Sequence, residues 1–230
     1  MSPDVTSLDI TRGPAPHGGQ PVLAAGAPLD KATGAVILLH GRGGSADDIL
    51  SLAPHLARTD FAYLAPQAAG HVWYPERFMQ PRRANEPYLS AALANVAALI
   101  DDLNAAGIAD ERIVLLGFSQ GACLALESAI RRPRRYGGVV ALSGGLIGAD
   151  GEVAAPEQAL AGTPVLFGCA ERDPHIPLAR VELSAERFAA SGADIVKRIY
   201  RGSGHGVNDD EIGQIRTLLA GLATAAPPTA

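Results

Sequence analysis

Cysteine is nearly absent, with two in 230 residues. Cys123 and Cys169 are too few for a disulfide scaffold and lack the paired spacing of a zinc site, so a reducing, cytoplasmic setting and no metal are expected. Basic residues are outnumbered, 19 Lys and Arg against 24 Asp and Glu, giving a net charge of −5. That sign argues against a nucleic-acid partner held by phosphate neutralisation and gives no long-range pull toward an anionic membrane. Long apolar runs are missing too. Val36-Ile37-Leu38-Leu39 falls far short of the ~18 residues of a membrane span, so no stable membrane insertion is expected. Residues 1–10 carry neither a basic stretch nor an apolar one, and no signal peptide is expected.

What is present points to a globular fold. Hydrophobic residues make up 47% and charged residues 19%, which is too apolar for disorder. Chains split into several cores mainly beyond ~250–300 residues, so one domain is expected over 1–230, with a core at about 20–223 and a frayed tail at 224–230. The 26 Gly and 17 Pro lie between apolar runs and read as turns joining many short elements.

Ala35–Leu39, Phe61–Ala65, Ile113–Phe118, Val139–Leu142, Pro164–Phe167 and Ile195–Tyr200 are apolar runs of strand length. Pro21–Ala25 reads as a further strand, expected to pair with Ala35–Leu39. Ser45-Ala-Asp47-Asp48 places a capping hydroxyl and two carboxylates at a helix start, predicting a helix over 45–57. Leu89, Leu93, Val96, Ile100 and Leu103 recur at helical spacing behind Pro87. Further helices are expected from the elbow at 119 to Ile130, at 177–191 and at 208–223. Strands and helices alternate through short turns, so the fold class is α/β: a mostly parallel central sheet with helices on both faces and no large cap domain.

Ligands of open parallel sheets bind beyond the carboxyl ends of the strands. Gly117-Phe118-Ser119-Gln120-Gly121 is a G-x-S-x-G between a strand and a helix, where a serine on a sharp turn projects its hydroxyl above the sheet. Shuffling this composition would produce such a string in roughly one chain in seven, so its position carries the assignment. His40-Gly41-Arg42-Gly43-Gly44 follows the strand Ala35–Leu39. It can aim main-chain N–H groups at an oxyanion, and the hole is assigned to the amides of Arg42 and Gln120. The loop matches no phosphate-cradling motif.

After Pro164–Cys169 comes Ala170-Glu171-Arg172-Asp173-Pro174-His175, read as a polar turn in which Asp173 is the expected acid and Glu171 its competitor. Asp150 and Glu152 read as solvated loop charges. Arg201-Gly202-Ser203-Gly204-His205-Gly206 follows the last strand and offers His205 as the base, completing the chain order Ser, Asp, His. His17 and His55 read as structural or surface residues. His175 reads as flanking the site, and His40 as holding the oxyanion loop.

L-H-G-R-G-G, G-F-S-Q-G-A, A-L-S-G-G-L, the Asp173-Pro-His-Ile-Pro177 turn and Y-R-G-S-G-H-G occur in this order over about residues 35–206. Together they resemble the phospholipase/carboxylesterase family of α/β-hydrolases, which includes acyl-protein thioesterases. The resemblance implies a triad of Ser119, Asp173 and His205, an oxyanion hole at Arg42 and Gln120, and hydrolysis of esters or thioesters with no cofactor. Two departures stand out. Gly168-Cys169 replaces the His-Gly frequent at that strand end, and Arg42 replaces a hydrophobic residue, so that its charge is a candidate influence on acyl or leaving-group preference.

Gly70–Pro87 is irregular, and its Trp73, Tyr74, Phe78 and Met79 are expected to wall a substrate pocket; the alternative is a surface loop anchored by its aromatics. Arg77, Arg82 and Arg83 are either ligands for a substrate anion or ordinary surface arginines. Cys123 and Cys169 are expected to be buried and inert. The expected activity is that of a serine carboxylesterase on a small-molecule ester of small to medium size. Lysophospholipase or acyl-protein thioesterase action stands as the alternative, and a non-catalytic ligand-binding relative as the remoter one. A homodimer is compatible with the sequence.

Overall fold

The computed structural model describes residues 5–8, 13–153, 160 and 162–224. The expected tail therefore lies outside the described residues, except for Thr224, which belongs to the last helix. Among the described residues the strands β1 (Thr6–Leu8), β2 (Val22–Gly26), β3 (Gly34–Leu39), β4 (Phe61–Pro66), β5 (Ile113–Phe118), β6 (Gly138–Leu142), β7 (Pro164–Arg172) and β8 (Asp194–Ser203) form one sheet. Their order is β1-β2-β4-β3-β5-β6-β7-β8. β1 and β2 are antiparallel to their neighbours, and every pair from β4 to β8 is parallel.

The expected pairing of Pro21–Ala25 with Ala35–Leu39 does not form. β2 pairs with β4, Val22 opposite Pro66, and β3 lies beyond β4. A single antiparallel strand beside β3 would have displaced the parallel crossover that places β3 between β4 and β5.

Among the described residues the five α-helices are α1 (Ala46–Leu50), α2 (Tyr88–Ala105), α3 (Gln120–Arg131), α4 (Leu178–Ala190) and α5 (Asp209–Thr224). α1 is shorter than the expected 45–57: its capping box forms between Ser45 and Asp48, but the chain tightens into a 3-10 turn at Ala53–Leu56 around Pro54. Strand period divides the apolar residues between two cores. Ile37, Leu39, Leu115, Val139 and Phe167 face α2, α3 and α4, while Val36, Leu38, Val114, Leu116 and Leu142 face α1 and α5. Both faces are covered, so these strands read as unbroken apolar runs and not as alternating ones. Among the described residues no helix is long and apolar enough to cross a membrane.

Candidate active site

The turn at the end of β5 is fixed by close approach. Ser119 sits at φ 54°, ψ −117°, a backbone region costly for a residue with a side chain. A Cβ on Gly117 would lie 2.2 Å from the Gly121 carbonyl carbon, and one on Gly121 would lie 2.0 Å from the Leu39 carbonyl oxygen. Only glycine fits at either place. The turn lifts Ser119 Oγ off the sheet at the start of α3.

The structure brings Ser119, His205 and Asp173 together. His205 Nε2 lies 2.9 Å from Ser119 Oγ, and His205 Nδ1 lies 2.7 Å from Asp173 Oδ2. An ionised carboxylate only accepts, so Nδ1 carries the proton and Nε2 is free to accept the serine hydroxyl. Asp173 Oδ1 accepts the amides of His175 at 2.8 Å and Ile176 at 3.0 Å. Burial pushes the Asp173 carboxyl up, but the bond from His205 and these two amides outweigh it, and its pKa falls below the usual carboxylate value. The Cys169 thiol stands 3.8 Å behind the same carboxylate, and burial pushes its pKa up to about 12. Glu171 is exposed on β7, which runs into the expected turn as far as Arg172. Phe118 and His175 flank the His205 ring, with centroids 4.9 and 4.8 Å away.

Among the described residues no hydrogen bond takes up the amide N–H of Arg42 or of Gln120, the first residue of α3, whose N–H has no intrahelical acceptor. Both residues line a cleft of about 550 Å³ that also holds Ser119, His205, Tyr74, Phe78 and His175. His40 is buried behind it. Its Nε2 accepts the Ala68 amide at 3.1 Å, so Nδ1 donates to the Gly41 carbonyl, 2.7 Å away. Burial lowers the His40 pKa, which keeps the ring neutral.

The four expected pocket residues divide. Tyr74 and Phe78 line the cleft, whereas Trp73 and Met79 do not. Trp73 is fully buried in the core, and Met79 packs on the core's edge. Arg42 is not free to meet a substrate with its whole fork, because Nη2 donates to the carbonyls of Tyr74 and Glu76, each at 2.8 Å. Arg82 is committed to the buried Glu127, at 3.1 Å, and to the Ile147 carbonyl. Arg77 is exposed at the cleft, and Arg83 is exposed away from it. Asp150 is a largely exposed loop charge, as expected, and pairs with the buried Arg180 at 2.6 Å, while Glu152 accepts the amides of Arg82 and Ala149. His17 is fully buried, while His55 is exposed.

A larger groove, about 1020 Å³, opens at the amino-terminal ends of the parallel strands beside Gly137, Pro164 and Leu222. It is remote from Ser119, at the end of the sheet opposite to where such folds bind their ligands.

The model of the phospholipase/carboxylesterase family matches residues 22–222. The chain belongs to that family. Its members are esterases and acyl-protein thioesterase-type α/β-hydrolases. A phospholipase/carboxylesterase from Dyadobacter fermentans superposes with a TM-score of 0.85 at 39% identity, over 89% of this chain and 97% of that one. Acyl-protein thioesterase 1 of Gibberella zeae is 35% identical over 115 residues, 49% of each chain. The same-named protein of Saccharomyces cerevisiae is 31% identical over 117 residues, 49% of this chain and 51% of its own. The chain thus spans about half the length of these two curated relatives.

Proposed function

We propose that this phospholipase/carboxylesterase family member is a serine hydrolase of carboxylic esters, with Ser119 as nucleophile, His205 as base and Asp173 as acid. One observation carries the reading: the unbroken contact from Ser119 Oγ through His205 to Asp173, at 2.9 and 2.7 Å. Ser119 Oγ attacks the carbonyl carbon while Nε2 of His205 takes the hydroxyl proton. The carbonyl oxygen becomes an oxyanion and is met by the N–H groups of Arg42 and Gln120, each worth about 2.7–4 kcal/mol of barrier. His205 then protonates the leaving oxygen, which departs as the alcohol. Water deprotonated by the same imidazole attacks the acyl-serine, the acid is released, and Ser119 regains its proton.

Ser119→Ala should abolish turnover of p-nitrophenyl butyrate and labelling by a fluorophosphonate while leaving the circular dichroism unchanged. Residual turnover at the wild-type rate would overturn the assignment.

A thioesterase reading is favoured by the two curated relatives, each named acyl-protein thioesterase 1. The same triad cleaves either bond, and only the leaving atom changes from oxygen to sulfur. Comparing kcat/KM for a p-nitrophenyl ester, an acyl-CoA and an S-acylated peptide of equal acyl length separates the two. Both free cysteines are buried, which supports placing the enzyme in a reducing compartment such as the cytoplasm.

A further inference from the structure

The proposed oxyanion donors come from different parts of the chain, Arg42 from the loop after β3 and Gln120 from the start of α3. Something must hold their spacing, since such donors act only when preorganised about the developing charge. The side chains of both residues reach one dipeptide. Gln120 Oε1 accepts the Trp73 amide at 2.9 Å, and Gln120 Nε2 donates to the Tyr74 carbonyl at 2.8 Å. Arg42 Nη2 donates to that same Tyr74 carbonyl at 2.8 Å.

A third tie runs through the indole. Trp73 Nε1 donates to the His40 carbonyl at 2.9 Å, and His40 Nδ1 donates to Gly41, the residue before Arg42. Trp73 is itself clamped from behind. His17 Nδ1 accepts the Ala69 amide at 3.1 Å, so His17 Nε2 donates to the Trp73 carbonyl, 2.9 Å away. His17 lies outside the residues matched by the family model, which begin at 22.

We propose that Trp73-Tyr74 is a brace that sets the distance between the Arg42 and Gln120 amides, and that Trp73, the Arg42 guanidinium and His17 are positioning residues for the oxyanion hole. The brace touches no substrate through Trp73, so it acts on the transition state and leaves the selection of the acyl chain to other residues. This rests on the serine-hydrolase reading above.

The experiment compares wild type with Trp73→Phe and Arg42→Met on p-nitrophenyl esters from acetate to octanoate. Phe keeps a buried ring but deletes the indole N–H; Met keeps the main-chain N–H at 42 but deletes the guanidinium. Each variant should lower kcat by roughly 10- to 100-fold, a fraction of what full loss of a donor costs. KM and the ranking of acyl lengths should stay within about twofold. An alkyl trifluoromethyl ketone, which takes up Ser119 Oγ as a tetrahedral oxyanion, should bind more weakly by the same factor as kcat falls, a parallel that general loosening of the fold would not produce.

Arg42 is exposed, so Arg42→Met decides the matter even if Trp73→Phe fails to fold. His17→Phe should show the same kcat loss, and His17→Gln, which can still donate and accept, should recover part of it. Wild-type kcat in Arg42→Met, or a kcat loss without weaker ketone binding, overturns the brace. Wild-type turnover in Ser119→Ala would instead remove the hydrolase reading beneath it, so the two failures are distinguishable.

Discussion

Asp173 holds His205 from the side opposite Ser119, with Oδ2 2.7 Å from Nδ1 and Oδ1 occupied by the amides of His175 and Ile176. The amides fix the carboxylate, and the carboxylate fixes the tautomer. Asp173→Asn keeps the shape but presents an amide that can donate to Nδ1, turning Nε2 from acceptor to donor. We expect kcat to fall by about 10⁴-fold with little change in thermal midpoint, as follows from losing the tautomer-fixing acid of a Ser-His-Asp centre. Steady-state kinetics beside a melting curve checks both halves, and a kcat within tenfold of wild type would contradict the role.

Gly121→Ala tests whether the elbow's geometry is steric. The added methyl would stand 2.0 Å from the Leu39 carbonyl oxygen, a backbone atom of the neighbouring strand that cannot swing aside. The expected outcome is loss of folded protein and not a folded but slow enzyme. Gly206→Ala, where a Cβ meets nothing within 4 Å, is the matched control and should express as wild type.

Phe78 lines the cleft from a largely buried position, while Met79 beside it packs on the core. Phe78→Leu should therefore admit longer acyl chains, moving the optimum of kcat/KM up a p-nitrophenyl ester series by one or two carbons, each methylene being worth about 0.8 kcal/mol when buried. Met79→Ala should leave the profile where it was. Equal shifts in both variants would mean that the cleft is not what selects the acyl group.

The elbow and the His205 turn were legible because each is a local pattern whose meaning depends only on the strand before it. The alternation of strands and helices likewise revealed the parallel sheet. Pairing was less accessible: Val22–Gly26 is too short and too generic to show that its partner is Phe61–Pro66 and not the strand next in sequence. The ends of β7 and β8 were missed because they are polar and exposed, so backbone pairing alone, Arg172 opposite Ser203, extends them past their apolar runs. Trp73 was misplaced for a different reason. An aromatic in an irregular segment carries no period, and only the fold reveals that its N–H faces His40 and its backbone faces Gln120 and His17. Glu127 and Glu211 left no trace at all: the first lies inside the apolar α3 and the second in the acidic first turn of α5, and each looks like any solvated carboxylate until its partners arrive.

Glu211 gives the last prediction. It is 1% exposed at the first turn of α5, three residues after Asn208 and six after His205. Its Oε2 accepts the Asn208 amide at 2.9 Å, and its own amide donates to Asn208 Oδ1 at 3.0 Å. Burial pushes its pKa up from 4.5 to about 7. The folded protein therefore keeps a proton that the unfolded chain releases across that window, and stability falls as pH rises through it, by up to about 3 kcal/mol. His17 and His40 act in the opposite sense. Burial lowers both from 6.5, so the unfolded chain binds the extra protons and stability rises with pH toward and past 6.5. In the wild type the two trends oppose each other. Glu211→Gln keeps an acceptor for the Asn208 amide but removes the titration, leaving the histidine trend alone. We expect its thermal midpoint to match wild type near pH 5 and to exceed it by roughly 5–10 °C at pH 8. A midpoint difference that stays constant from pH 5 to 8 would show that Glu211 does not titrate in the folded protein in that range.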